Sequence, residues 1–267
     1  MIPDILNYSF FRNALFAVVL LSVASAIIGT YIVSRRLVSI SGGVTHACFG
    51  GLGLGYYLSV NPIFMAALFA IASSLGVQWM SARHRIREDS AIAVIWAIGM
   101  AVGTLFIFLT PGYVPELNSF LFGNILTVTT FDLTAFLVFT AVLICFMALK
   151  YHDIVICAFD ADFARVRHLP VAFVTTAMTV LVAVCIVLTI RLVGIMLLMS
   201  MLVLPQMTAE IFVHRFGSIM RLSVVISLIC SVGGLFLATV VNVPCSALIV
   251  LLMAAFYLAA RVTKLLF

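Results

Sequence analysis

Two ionisable side chains fall inside long apolar stretches of this chain, His46 and Glu210. A charge inside a bilayer is costly, so such residues are functional candidates by default. His46 lies ten residues past Arg36. At a rise of about 1.5 Å per residue, that is roughly halfway through a ~30 Å hydrocarbon core. A neutral imidazole is tolerable at that depth and is also the form that binds a divalent metal. Glu210 follows Gln206 by one helical turn, so the two share a face. His46, Glu210 and Gln206 are therefore the candidate site residues. Each has a plainer reading. A lone intramembrane histidine also serves as a neutral core residue bonded to a carbonyl, and Glu210 also stands where it meets Arg215 or water. Met196, Met199, Met201 and Met207 resemble a soft-ligand track, but methionine is a common packing residue and the core reading is favoured. Asp132 stands at a span end, where solvation is expected.

A second kind of chemistry is suggested by Tyr151–Leu169, YHDIVICAFDADFARVRHL. Its centre, residues 158–165, mixes Phe159 and Phe163 with Asp160, Asp162 and Arg165. Phenylalanines four apart share one face of a short amphipathic helix. The acids disfavour an anionic lipid surface, which leaves docking onto a soluble partner. Enzyme motifs are absent: there is no HExxH, GxSxG, GxxxxGK[ST] or GxGxxG. The six cysteines are scattered without a CxxC pair and read as small buried apolar residues.

The elements that must position these residues follow from composition. The 267 residues are 65% hydrophobic and 9% charged, with a mean hydropathy of +1.32. Soluble domains average roughly 25% charged, so a soluble globular protein is excluded, as are disorder and a disulfide-stapled module. The expectation is an all-α polytopic membrane protein with one transmembrane domain over residues 1–267. Apolar runs occupy residues 14–33, 38–60, 63–79, 91–110, 131–149, 170–190, 193–213, 219–241 and 247–260. They predict about nine transmembrane helices, and Ser119–Thr130, too short to cross, is expected to be re-entrant or interfacial. The N-terminal MIPDILNYSFFRN carries acid before base without a cleavage site, so the first run is expected to be a permanent span.

Charge fixes orientation. With nine spans, one side receives Arg35, Arg36, Arg83, Arg85, Arg87, Lys150, Arg165, Arg167, Arg215, Arg221, Arg261 and Lys264, and the other only Arg12 and Arg191. The N-terminus is then outside and the C-terminus cytoplasmic, with the TPGYVPEL turn and its Glu116 facing outward. The net charge of +5 serves topology and not nucleic-acid binding. Gly42, Gly43, Gly50, Gly51, Gly53 and Gly55 crowd the second span, which either packs backbone on backbone or breaks to line a cavity. Pro205 frees carbonyls about one turn earlier in the seventh.

Three patches carry a resemblance. Ser34-Arg35-Arg36-Leu37 precedes Ser41-Gly42-Gly43-Val44-Thr45-His46-Ala47 and Gly50-Gly51; Phe159 to Ala164 reads FDADFA; Val193-Gly194-Ile195-Met196-Leu197-Leu198 leads to Leu204-Pro205-Gln206-Met207-Thr208-Ala209. In this order they resemble the membrane subunits of ATP-binding cassette (ABC) importers for zinc, manganese and related divalent metals. The resemblance implies a multi-pass bacterial inner-membrane protein and a homodimer of membrane subunits. It also implies cytoplasmic ATPases on the coupling helices, formed by Phe159, Asp160, Asp162, Phe163 and Arg165, and an extracytoplasmic metal-binding protein. The chain itself would bind no cofactor: divalent metal is its substrate, and ATP is hydrolysed on the partner. His46 matches the family's pathway histidine, whereas Gly42 replaces the usual acid four residues earlier. His168 and Gln206-Met207 stand where the family has small residues, and zinc, manganese and iron all stay open. The runner-up is a stand-alone secondary carrier or channel relaying protons through Glu210 and His46, for which an inverted repeat would be expected and none is evident. An intramembrane enzyme is disfavoured by the missing motifs.

Overall fold

The computed structural model describes residues 8–84, 86–111, 123 and 125–266, and among the described residues every regular element is helical. Helix α1 spans Ser9–Ser34, α2 Val38–Tyr57, α3 Pro62–His84 and α4 Glu88–Leu109. A 3-10 turn at Ile125–Thr127 precedes α5, Thr130–Phe159, and the short α6, Ala161–Val166. Three long helices follow: α7 Val171–Phe212, α8 Phe216–Val241 and α9 Cys245–Leu266. Local chemistry sets these ends. The Asn61 side chain accepts from the N–H groups of Ile63 and Phe64 at 3.0 and 3.3 Å, with Pro62 in the first turn of α3 where its missing N–H costs nothing. Glu88 and Asp89 open α4 against the positive end of its dipole.

Among the described residues seven helices, α1, α3, α4, α5, α7, α8 and α9, are long and apolar enough to cross a membrane. The glycines and His46 of α2 dilute its hydropathy below that level, although it is a regular 20-residue helix. All nine apolar runs are helical, but they occupy eight helices. Residues 170–190 and 193–213, expected as separate spans, join in the 42-residue α7. A straight helix of that length would reach about 63 Å, twice the hydrocarbon thickness. The interruption is one residue, Gly194, at φ 81° and ψ 173°. No other residue type adopts that conformation readily, so a single glycine kinks α7.

The chain divides into two compact units, each built from separate segments. Unit 1 comprises Met1–Ser34, Leu117–Tyr151 and Leu188–Phe267; unit 2 comprises Arg35–Glu116 and His152–Val187. In unit 1, α8 packs along α1, with Phe11 meeting Phe236 edge-to-face at 5.3 Å, and α9 packs on α8. The 3-10 turn lies against α1, where Asn13 Nδ2 donates to the Val128 carbonyl at 3.3 Å and Ile125 is buried. Residues 119–122 and 124 of the expected re-entrant piece, and Gly112–Leu117 of the outward turn, lie outside the described residues. In unit 2, α2 packs on both α3 and α4, most extensively on α4.

Asp132 corrects an expectation. Its side chain is only 10% exposed: Arg191 Nε donates to Oδ1, and Oδ2 accepts from the Thr129 hydroxyl at 2.6 Å. An Arg from α7 thus covers a carboxylate that spacing alone left to solvent. The expected cytoplasmic loop also begins later than Tyr151, because α5 continues to Phe159 through a non-helical Lys150.

Candidate functional site

Unit 2 positions His46 through a register between two parallel helices. Ser39 Oγ donates to Asp89 Oδ1 at 2.6 Å at the start of α2 and α4. Further along, a Cβ on Gly43 would lie 2.2 Å from Ile92 Cγ2, one on Gly50 3.0 Å from the Gly99 carbonyl, and one on Gly53 2.5 Å from the Gly103 carbonyl. Partners differ by about fifty in sequence throughout. Of the two readings for the glycine-dense helix, backbone-on-backbone packing holds: α2 is unbroken from Val38 to Tyr57. The same register sets His46 opposite Trp96, and the rings stack with centroids 4.6 Å apart and planes 3° apart. His46 is half-buried. Among the described residues no hydrogen bond or ion pair holds its imidazole, and Gly42 supplies no side chain to do so. Arg35 and Glu88 pair at 3.8 Å near the same helix ends.

Unit 1 holds Gln206 and Glu210. Pro205 has no N–H for the carbonyl of Met201 four residues earlier. The next residue supplies a substitute: Gln206 Nε2 donates to the Met201 carbonyl at 3.2 Å and to the Ser25 carbonyl of α1 at 2.9 Å. Gln206 is fully buried, and Gly29 makes room for it; a Cβ there would stand 2.4 Å from Nε2 and 2.5 Å from the Leu202 carbonyl. The amide nitrogen therefore repairs the proline defect and ties α7 to α1. Among the described residues Oε1, also buried, has no hydrogen-bond partner and is left to meet something else. Glu210, one turn on, is half-buried. Met201 is fully buried whereas Met196 is 38% exposed, so the methionines do not form a uniform track. Among the described residues no three His, Cys, Asp or Glu side chains come together as a metal cage.

The coupling segment departs from expectation in one respect. Phe159 and Phe163 do not share one helix: Phe159 closes α5, and Asp160 intervenes at φ −147°. Its carboxylate accepts from the N–H groups of Asp162 and Phe163 at 3.1 and 2.9 Å, so the helix restarts as α6. Phe159 and Phe163 are nonetheless both exposed, as is Val166. Arg165 Nη1 donates to Asp162 Oδ1 at 2.5 Å, and the Arg167 guanidinium lies 5.2 Å from the Phe163 ring centre. The helix ends with the N–H of Leu169 bonded to the Ala164 carbonyl and that of His168 to Arg165. His168 takes φ 55°, the left-handed position where a small residue is usual. Two features escaped the sequence reading: Trp96, separated from His46 by about fifty residues, and Gly123. The latter, at φ 56°, is pressed on α7, so a Cβ there would lie 2.3 Å from Gly194 N.

The chain is similar to known transport proteins over nearly its whole length. Residues 7–264 match the ABC 3 transport family. A probable metal transport system membrane protein of Chlamydia pneumoniae is 37% identical over 91% of this chain and 85% of its own length. A probable iron transport system membrane protein of Haemophilus influenzae is 30% identical over 96% and 94%. Among solved structures, PsaBC from Streptococcus pneumoniae, in complex with Fab, superposes with a TM-score of 0.84 at 25% identity, covering 97% of this chain and 95% of that one.

Proposed function

Because the chain belongs to the ABC 3 transport family, it is a membrane subunit of a metal-type ABC importer, and we propose that it moves a divalent metal ion into the cytoplasm by alternating access. Zinc, manganese and iron are the candidate ions. ATP binding to a pair of cytoplasmic ATPase subunits, docked on α6, drives the change of access. An extracytoplasmic binding protein delivers the ion, and a second copy of this chain completes the membrane portion. The chain makes nine passes, with its N-terminus outside and its C-terminus cytoplasmic.

The observation that carries this reading is an exposed apolar surface made by Phe159 at the end of α5 and by Phe163 and Val166 on α6, the helix that Asp160 caps. A membrane carrier working alone has no evident use for an exposed apolar face beside charged Asp162 and Arg165. On the metal's route, His46 is the side chain proposed to meet the ion. A neutral imidazole there binds transiently, as release demands. Glu210 and the free Oε1 of Gln206 are proposed as oxygen donors at their own position on the route.

Uptake of zinc, manganese and iron into proteoliposomes holding the complex with its ATPase tests this. His46→Ala is expected to assemble and keep basal ATPase activity but to lose most uptake. Gly42→Asp is expected to tighten metal binding, since it adds a carboxylate one turn from the imidazole. ATP-independent uptake by the chain purified alone would overturn the ABC reading.

A further inference from the structure

We propose that Trp96 is a positioning residue for His46, holding the imidazole plane so that one ring nitrogen stays presented to a divalent transition-metal ion. The proposal rests on the reading of His46 as a contact on the metal's route.

The geometry is specific. The rings are 4.6 Å apart and within 3° of parallel, so the indole covers a face of the imidazole. Metal coordination uses the nitrogen lone pair, which lies in the plane of the ring. Stacking and coordination therefore do not compete. Metal-binding histidines normally have their orientation fixed by a hydrogen bond from the second nitrogen to a carboxylate or carbonyl. Here no such bond is made among the described residues, and Gly42 stands in place of the nearby acid. The indole face is the contact left to fix the ring. Its contribution also grows with binding, because a metal draws electron density out of the imidazole and the face of an indole attracts positive charge.

Trp96 is poorly explained by other roles. It is 44% exposed, so it is not a core residue of its unit. It sits eight residues into α4, about 12 Å along the axis, whereas tryptophans that anchor a protein at the membrane surface occupy helix ends. His46 is likewise eight residues into α2, and the close Gly–Gly contacts beyond it allow no slippage of one helix on the other.

The chain contains two tryptophans, Trp79 and Trp96, so Trp79→Phe leaves Trp96 as the sole indole of the chain. In that background, the complex with its ATPase is titrated with Mn2+, a paramagnetic quencher, using a labelled ATPase free of tryptophan. Saturable quenching that His46→Ala abolishes is expected. In uptake assays, Trp96→Phe should keep the parental KM within about twofold, since it retains an aromatic face. Trp96→Leu should raise KM by about two- to tenfold at unchanged kcat and assembly, the factor corresponding to a lost aromatic stack. A parental KM for Trp96→Leu, or emission indifferent to Mn2+ while His46→Ala abolishes uptake, overturns the role of Trp96 and leaves that of His46 standing. Parental uptake by His46→Ala overturns both.

Discussion

Replacing Gln206 with leucine and, separately, with glutamate tests whether its amide is a structural donor. In the folded chain Nε2 serves two carbonyls, Met201 at 3.2 Å and Ser25 at 2.9 Å. They are not equivalent. Ser25 lies inside α1, where helix geometry also gives its carbonyl the N–H of Gly29. Met201 has no such alternative, because residue 205 is proline. Leucine has nearly the same reach and no donor. Each lost bond is worth about 1 kcal/mol in general and averages roughly 0.6 kcal/mol in membrane-protein measurements. Removing the unpartnered Oε1 returns part of that. Gln206→Leu should thus cost about 1 kcal/mol. Gln206→Glu is worse, because it turns an acceptor or a charge towards two carbonyls in a fully buried place; about 2–4 kcal/mol is expected. Thermal unfolding of the purified chain in mild detergent provides the ranking. At about 2–4 °C per kcal/mol for a chain of this size, the leucine variant should fall by a few degrees and the glutamate variant by on the order of 10 °C. A glutamate variant as stable as the parent would refute the donor role and favour Gln206 as a ligand. A leucine variant more stable than the parent would show that the orphaned Oε1 outweighs both bonds.

Gly194→Ala forces a side chain into a conformation suited to glycine, so a loss of about 1–3 kcal/mol is expected by the same unfolding assay; unchanged stability would mean that α7 does not depend on the break at Gly194. Phe159→Ala combined with Phe163→Ala should leave insertion intact, since both side chains are exposed, yet uncouple ATP hydrolysis from uptake; normal uptake would refute docking at α6. Asp132→Asn removes the charge that Arg191 meets beneath a largely closed surface, and a cost of about 1–3 kcal/mol is expected. Because Arg191 is itself 35% exposed, that cost should shrink in 1 M salt, and equal costs at low and high salt would exclude an ionic contribution.

Much of this protein is legible in its sequence because a bilayer imposes a simple rule. Backbone groups in hydrocarbon must bond within their own segment, so every long apolar run had to be helical; all nine are, though two of them share α7. The same costliness of buried polarity singled out His46, Glu210 and Gln206, and the amphipathic spacing of Phe159 to Arg165 singled out an exposed helix near the right place. What the sequence could not decide depended on partners distant along the chain. Whether the α2 glycines pack or line a cavity was settled by Ile92, Gly99 and Gly103 on α4. Asp132 looked solvated until Arg191, 59 residues away, covered it. The Asp160 cap split the expected helix because a short carboxylate competes with the backbone for the same N–H groups, a contest that residue spacing does not reveal. Spacing put Gln206 on the face of Glu210 but could not show that its amide nitrogen serves the Met201 carbonyl, which Pro205 cannot. The stack of Trp96 on His46 carries no local signal at all: it exists only because two parallel helices, joined through α3, are locked in register by glycines too small to keep them apart.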